Sequence, residues 1–285
     1  YNTDKRYILV TGGRGSGKSF EVSTFINLLT YEPNHRALFT RYTMASAGLS
    51  IIPEFIEKIE LLEVGGDFEV TRDAIVNKRT KSDIIFKGIK TSSGNQTANL
   101  KSLQGVSTWI LDEAEELESE ETFDKIDLSI RKKEVNNRVI LVMNPATKEH
   151  WIWKRFFEGY TKQIEIDGVS VPISTHPDLC HIHTTYLDNI GNLSESYLKQ
   201  IQSIKDLNPF KYRHVVLGGW LDKTEGYIFD YKEGVFDESL PFIFGADYGF
   251  TTDPSTLIKC AIKDNKLYLK ECMYLKGLST QQIAD

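Results

Sequence analysis

Residues 7–19 of the chain read YILVTGGRGSGKS: an apolar run is followed by a glycine-rich stretch that ends in lysine and serine. The stretch from Gly12 to Ser19 fits the pattern G-x-x-x-x-G-K-[ST] between a predicted strand and a predicted helix. Glycines let backbone N–H groups turn towards phosphate oxygens, and the N-terminus of the helix adds partial positive charge. A chance glycine-rich turn is the alternative, but the flanking strand and helix favour a phosphate-binding loop.

This loop predicts ligands for ATP and for its metal ion. We expect Lys18 to reach the β- and γ-phosphates and Ser19 to bind Mg²⁺. Arg14 is a candidate for the further positive charge that hydrolysis needs, and its alternative role is a salt bridge that tightens the loop. The expected nucleotide-binding residues of the loop are Gly12, Gly13, Arg14, Gly15, Ser16, Gly17, Lys18 and Ser19.

Outward from the loop, short apolar runs with strand character alternate with helical patterns. Predicted strands cover residues 7–10, 37–40, 109–111 and 139–143, and predicted helices cover residues 20–29 and 51–62. This alternation is typical of an α/β fold, with a mainly parallel sheet and helices on both faces, and we predict a P-loop NTPase domain. Residues 68–87 look instead like a small antiparallel meander.

Two carboxylates follow the predicted strand that ends at Leu111. Asp112, at the tip of the strand, can hold the Mg²⁺ water shell, and Glu113 can polarise the attacking water. Paired acids in this place are often only a solvated helix start, and we expect Glu115, Glu116 and Glu118 to continue as such a charged face. Because the pair comes after a phosphate-binding loop, we favour the catalytic interpretation.

Other polar residues are candidates for sensing the nucleotide or acting on it. Asn144 follows the predicted strand 139–143 and can sense whether the γ-phosphate is present, although an Asn-Pro turn explains it equally well. A neighbouring subunit can also donate a basic residue to the site. Lys101 and Arg131 are the options, and the alternative for both is a plain surface charge.

Length and composition set the scale of the protein. Its 285 residues are 40% hydrophobic and 26% charged, enough for one sizeable core and the start of a second. No stretch of eighteen or more uninterrupted apolar residues occurs, and the first six residues lack the apolar run of a signal peptide, so we expect a cytoplasmic protein without a membrane partner. The net charge of −6 argues mildly against an all-over DNA-coating surface but is compatible with a local basic groove.

The composition of the sequence changes after Trp220, where a polar run is typical of a linker or domain boundary. Beyond it, residues 242–247, 256–262 and 266–274 are three predicted strands separated by short turns. We therefore predict a P-loop ATPase domain over 1–222, a linker over 223–241 and a second, incomplete domain over 242–285.

Six sequence blocks occur together in one order. They are G-G-R-G-S-G-K-S at Gly12 to Ser19, L-D-E-A at Leu111 to Ala114, M-N-P at Met143 to Pro145, T-T-Y-L-D-N at Thr184 to Asn189, L-G-G-W at Leu217 to Trp220 and A-D-Y-G-F at Ala246 to Phe250. Most are weak individually, but their order is specific. Over essentially the whole chain, this combination resembles the large terminase subunits of tailed bacteriophages and prophages.

The resemblance implies an ATPase that drives double-stranded DNA into a preformed capsid, joined to an RNase H-like nuclease that cuts the genome concatemer. It implies a homo-oligomeric ring on the portal protein of the procapsid, and a small terminase subunit that selects viral DNA. It also implies action in the host cell cytoplasm, transiently on the procapsid, and absence from the mature virion. The alternatives are a helicase-like nucleic-acid-dependent ATPase and a nucleotide-gated assembly scaffold.

The same resemblance assigns roles to individual residues. Arg14 and Lys18 belong to the Walker A loop, Asp112 and Glu113 to Walker B, and Asn144 to the coupling motif that follows it. Lys101 is the nearest positional match to a trans-acting basic residue of some relatives.

For the second domain, the resemblance matches Asp247 to the first metal-binding aspartate of the nuclease, where Mg²⁺ or Mn²⁺ would bind. A structural cap of the turn that follows Asp247 is the alternative. Two-metal cleavage needs several converging carboxylates. The family's later aspartates are expected beyond residue 285, so we expect this chain alone to lack nuclease activity.

Overall fold

A nine-stranded sheet is the frame of the first of two compact units, Tyr1–Gly226 and Tyr227–Asp285. The computed structural model describes residues 3–43, 51–91, 94–95, 104–222, 232, 234–249 and 254–277. The strands of the first unit are β1 (Tyr7–Gly12), β2 (Arg36–Thr43), β3 (Phe68–Val70), β4 (Ala74–Asn77), β5 (Asp83–Thr91), β6 (Gly94–Asn95), β7 (Thr108–Asp112), β8 (Arg138–Met143), β9 (Thr161–Ile166), β10 (Val169–Ser174) and β11 (Leu179–Thr184). Strands β9 and β10 form a separate antiparallel hairpin.

The order of strands in the large sheet is β11-β1-β8-β7-β2-β5-β4-β3, and β6 pairs with β5. The six strands from β11 to β5 run parallel to one another. Parallel strands end at a common edge, so the loops that follow β1, β8 and β7 meet beside the end of β2. This confirms the predicted α/β fold. The predicted meander is present as β3 to β5, but it extends the large sheet because β5 pairs with β2.

Helices cover both faces of the sheet, as predicted. They are α1 (Lys18–Leu29), α2 (Ile52–Leu61), α3 (Glu120–Asp127), α4 (Trp151–Phe156) and α5 (Glu195–Leu207), followed by α6 (Pro209–Lys211) and a π-helical turn, Tyr212–Val216. Neighbouring residues of β1 enter different cores, since side chains alternate across a strand. Ile8 packs in the core beneath α1 and α2, whereas Leu9 packs in the core beneath α3 and α4.

A third, smaller core lies beside the sheet. It joins Val171 of the β9–β10 hairpin, Ile201 of α5, and Tyr212 and Val216 of the π-helical turn. Every residue of this group is buried, and the Tyr186 and Tyr212 hydroxyls lie 3.1 Å apart. The third core fixes the π-helical turn, whose carbonyl groups contact the glycine-rich loop that follows β1.

The second unit contains a three-stranded antiparallel sheet in chain order, β12 (Phe242–Asp247), β13 (Pro254–Lys263) and β14 (Lys266–Lys276). These strands match the three predicted ones. Asp264 and Asn265 connect β13 to β14 with positive φ angles of 50° and 58°, which are the angles of a tight hairpin turn. Among the helices of the described residues, none is long and apolar enough to cross a membrane.

Candidate nucleotide and metal site

The glycine-rich loop begins at the end of β1 and leads directly into α1. Gly15 and Gly17 have φ angles of 79° and 76°, a left-handed conformation that glycine adopts without strain, and Gly17 caps α1. A Cβ atom on Gly13 would lie 1.8 Å from the Val216 carbonyl oxygen, so a side chain is excluded there. The loop therefore has the glycines that its backbone conformation and its close packing require.

Residues of two other sequence blocks, T-T-Y-L-D-N and L-G-G-W, contact this loop. Thr184 Oγ1 donates to the Ser16 carbonyl oxygen at 3.2 Å, and Asn189 Nδ2 donates to the Gly15 carbonyl oxygen at 3.0 Å. Gly218, with φ 72°, approaches so closely that a Cβ on it would lie 2.6 Å from the Gly12 carbonyl carbon. These contacts give a physical reason why the T-T-Y-L-D-N and L-G-G-W blocks accompany the loop. The sequence did not identify Asn189 as a residue of the site.

Lys18 extends along the loop towards β8. Its Nζ atom donates to the Gly13 carbonyl oxygen at 3.2 Å and to Asn144 Oδ1 at 2.8 Å. Burial lowers the pKa of Lys18, while the charges of Glu115 and Asp112 act in the opposite direction. An ammonium group has three N–H donors, so one is left to meet a phosphate oxygen.

The two predicted carboxylates lie at the end of β7, where Arg41 of β2 joins them. Arg41 Nε donates to Asp112 Oδ2 at 2.8 Å, Arg41 Nη2 lies 2.7 Å from the same oxygen, and Nε lies 3.7 Å from Glu113 Oε2. Burial alone would lower the pKa of Arg41, but Asp112 and Glu113 raise it. Burial raises the pKa of Glu113, and Arg41 opposes this. Sequence patterns did not reveal Arg41, because a single arginine in a strand carries no motif.

The donor atoms near the loop suit Mg²⁺. Ser19 and Asp112 line one small cavity together with Glu54. Hydroxyl and carboxylate oxygens are the hard ligands that Mg²⁺ prefers, and this ion usually takes one or two carboxylates plus phosphate oxygens and water. The residues present therefore fit a nucleotide-bound Mg²⁺.

Glu115 differs from the predicted charged face. Glu116 and Glu118 are exposed, but Glu115 is half-buried and turns inward. Its Oε1 atom accepts from the backbone N and the Nδ2 of Asn144 at 3.2 and 3.3 Å. The expectation of a solvated acid at Glu115 is wrong because Glu113 adopts a left-handed conformation, with φ 54° and ψ 48°, which changes the direction of the chain. A periodicity argument cannot anticipate that change.

The remaining predicted residues lie in different places. Arg14 is exposed beside the loop, and its charge contributes to lowering the pKa of Lys18. Arg131 is exposed in the segment leading to the start of β8, at the opposite edge of the sheet from Lys18. Lys101 lies outside the described residues. Asp247 is exposed at the end of β12 in the second unit.

No group of three or more His, Cys, Asp or Glu residues converges on a possible metal position within the described ranges.

Comparison with known proteins places this geometry in context. The family described as phage terminase large subunit matches residues 4–219. The chain is 26% identical over 304 residues to the large terminase subunit of Bacillus phage SPP1, covering 98% of this chain and 66% of that relative. It is also 26% identical over 294 residues to the PBSX phage terminase large subunit of Bacillus subtilis strain 168, covering 94% of this chain and 64% of that relative.

Solved structures agree on the fold. The large terminase of a thermophilic bacteriophage has a TM-score of 0.59 at 17% identity, over 94% of this chain and 64% of that chain. The same terminase in complex with ATP-gamma-S has a TM-score of 0.53 at 17% identity, over 94% and 63%. The chain thus spans somewhat less than two thirds of the length of these relatives.

Proposed function

The chain belongs to the phage terminase large subunit family, and we propose that its first unit is an ATP-hydrolysing motor that translocates double-stranded viral DNA into a preformed capsid. The family assignment confirms the resemblance predicted from the sequence. In this proposal the protein acts in the host cell cytoplasm and is transiently bound to the procapsid.

One observation carries the proposal: a cation, two carboxylates and an amide come together at one edge of the sheet. Lys18, Asp112, Glu113 and Asn144 lie at the ends of three parallel strands or in the loops after them. Phosphoryl transfer to water depends on positioning and on stabilising charge rather than on covalent chemistry by the protein. This edge supplies a donor for the phosphates and a carboxylate for the water.

Each residue has a definite task in hydrolysis. The free N–H of Lys18 binds the β/γ-phosphate oxygens, and the Glu113 carboxylate orients the attacking water and accepts its proton. Ser19 and Asp112 would hold Mg²⁺, which neutralises charge on the phosphates when it is bound. Before the nucleotide arrives, Arg41 keeps Asp112 paired and oriented.

A second positive charge is required near the leaving phosphates. Arg14 supplies it within the subunit if its exposed side chain turns towards the γ-phosphate. Arg131 or Lys101 of a neighbouring subunit supplies it if the motor works as a ring. The ring, the portal protein of the procapsid and the small terminase subunit are the partners that this proposal requires.

The second unit is proposed to begin an RNase H-like nuclease. Asp247 ends a strand and is exposed to solvent, a position from which a carboxylate can bind Mg²⁺ or Mn²⁺. A single carboxylate binds such an ion weakly. Two-metal cleavage needs further carboxylates that converge beside Asp247.

Measuring ATP hydrolysis with and without double-stranded DNA and procapsids tests the proposal. We expect hydrolysis that rises with DNA and procapsids together. Stimulation by DNA alone, with strand separation, would favour a helicase-like ATPase. Tight ATP binding without turnover under every condition would favour a nucleotide-gated scaffold.

A further inference from the structure

The turn that follows β7 directs two acidic side chains to different neighbours. Glu113 has left-handed backbone angles, and a 3₁₀ turn, Ala114–Glu116, comes directly after it. Ala114 is fully buried, which fixes the turn in the core. As a result the Glu113 carboxylate lies near Arg41, whereas the Glu115 carboxylate contacts Asn144.

Glu115 determines which way the Asn144 amide faces. An ionised carboxylate can only accept hydrogen bonds, so the NH₂ group of Asn144 must be the part that faces Glu115 Oε1, at 3.3 Å. The backbone N–H of Asn144 donates to the same oxygen at 3.2 Å. The amide oxygen is thereby directed at Lys18 Nζ, at 2.8 Å. A reversed amide would place its N–H donors against an ammonium group, which has no acceptor.

The orientation of Asn144 in turn fixes Lys18. Two of the three ammonium donors are used by Gly13 and Asn144, so the direction of the third is determined. A group that is already aimed at the position of developing charge stabilises a transition state without a cost of reorganisation. The arrangement Glu115–Asn144–Lys18 therefore prepares the lysine before a nucleotide binds.

The burial of Glu115 is hard to explain by stability alone. Its Oε2 atom is buried and has no hydrogen-bond partner among the described residues. Leaving a buried polar atom unpaired is unfavourable, and such exceptions are concentrated at functional sites. Burial also raises the pKa of Glu115, which is the expected consequence of withdrawing the charge from water.

We propose that Glu115 is a positioning residue for ATP hydrolysis, which holds the Asn144 amide with its oxygen towards Lys18. In this arrangement Asn144 senses the nucleotide through Lys18 rather than through a bond of its NH₂ group to the γ-phosphate. The inference rests on the proposed ATPase function and adds a second layer to its site.

A double-mutant cycle on the ATPase tests this chain of contacts. Glu115→Ala, Asn144→Ala and the double variant are compared with the wild type in kcat and KM for ATP, and thermal unfolding checks that each is folded. Removing a charge-assisted hydrogen bond lowers kcat by a factor of about ten to a hundred, and we expect KM to change little. Because Glu115 acts through Asn144, the double variant should be no slower than the slower single variant.

Three further variants separate positioning from a purely structural role. Glu116→Ala changes an exposed acid of the same turn and should keep wild-type kcat. Glu115→Gln keeps an oxygen that can accept both hydrogen bonds from Asn144, so we expect it to retain most of kcat, unlike Glu115→Ala. Asn144→Asp should lose turnover, because two carboxylates would then face each other. These last two variants test the contact even if Glu115→Ala does not fold.

The outcomes are distinct. A wild-type chain that neither binds nor hydrolyses ATP overturns the proposed function itself. With an active wild type, unchanged kcat in Glu115→Ala overturns only the positioning role, as do multiplicative losses in the double-alanine variant or a Glu115→Gln variant as slow as Glu115→Ala.

Discussion

Replacing Arg41 by alanine should destabilise the protein in a way that depends on the metal. Arg41 Nε donates to one oxygen of Asp112, Arg41 Nη2 lies 2.7 Å from the same oxygen, and the two side chains are 20% and 7% exposed. Removing one partner of a buried ion pair leaves the other charge buried without a partner, which costs roughly 3–5 kcal/mol of stability. Because Arg41 retains some contact with water, we take the lower end, about 3 kcal/mol.

This free energy can be converted into measurable changes. At about 2–4 °C per kcal/mol for a domain of this size, the melting temperature without ligand should fall by about 6–12 °C. With Mg²⁺ and nucleotide, Asp112 again faces a cation, so most of the loss should disappear. By linkage, the Mg²⁺-dependent part of nucleotide affinity should rise, by at most about 150-fold for 3 kcal/mol.

Circular dichroism melting without ligand, with nucleotide and EDTA, and with nucleotide and Mg²⁺ measures these effects. Arg36→Ala is a matched control, because Arg36 lies on the same strand and pairs with Asp83 while its side chain is 40% exposed. The Arg36→Ala variant should lose about 1 kcal/mol or less of its free energy of unfolding, and this loss should be the same in all three conditions. An Arg41→Ala protein that is equally destabilised with and without Mg²⁺ and nucleotide would show that Asp112 is not a ligand shared by Arg41 and Mg²⁺.

Three other perturbations have defined outcomes. Burial lowers the pKa of His35 from its ordinary value of 6.5 to about 4. Between these two values the histidine of the unfolded chain takes up a proton, whereas that of the folded chain does not. The free energy of unfolding therefore decreases as pH falls, by about 2 kcal/mol from this group at about pH 5. His35→Gln should reduce the fall of the urea midpoint between pH 7 and pH 5, and an unchanged fall would contradict this. If a neighbouring subunit donates the second positive charge, specific ATPase activity should rise with protein concentration, and Arg131→Ala should abolish that rise; full turnover in dilute monomer would assign the role to Arg14. In a longer protein that supplies further acids, Asp247→Ala should abolish Mn²⁺-dependent DNA cleavage, and wild-type cutting would exclude Asp247 as a metal ligand.

Features with a strong local pattern were predictable from the sequence. The phosphate-binding loop is recognisable from the spacing of its glycines. The alternation of strand and helix patterns predicts a parallel sheet whose strands end at one edge. That edge is why Lys18, Asp112 and Asn144 were expected together and are found together.

The residues that were missed depend on tertiary contacts. Arg41 reaches Asp112 only because β2 and β7 are adjacent in the sheet, an order that the sequence does not state. Glu115 sits in a run of acids and differs from Glu116 only because the left-handed conformation of Glu113 rotates the turn. Backbone exceptions of this kind arise from the surrounding packing and carry no local signal.

Measuring nucleotide binding and turnover on the same three proteins decides whether Lys18 and Glu113 have separate roles on one bound ATP. Fluorescent-nucleotide titration and phosphate release would be followed for the wild type, Lys18→Ala and Glu113→Ala. We predict that Lys18→Ala loses turnover because the phosphates lose their cation, whereas Glu113→Ala binds nucleotide as the wild type does but does not hydrolyse it. Hydrolysis by Glu113→Ala at the wild-type rate would show that Glu113 does not activate the attacking water.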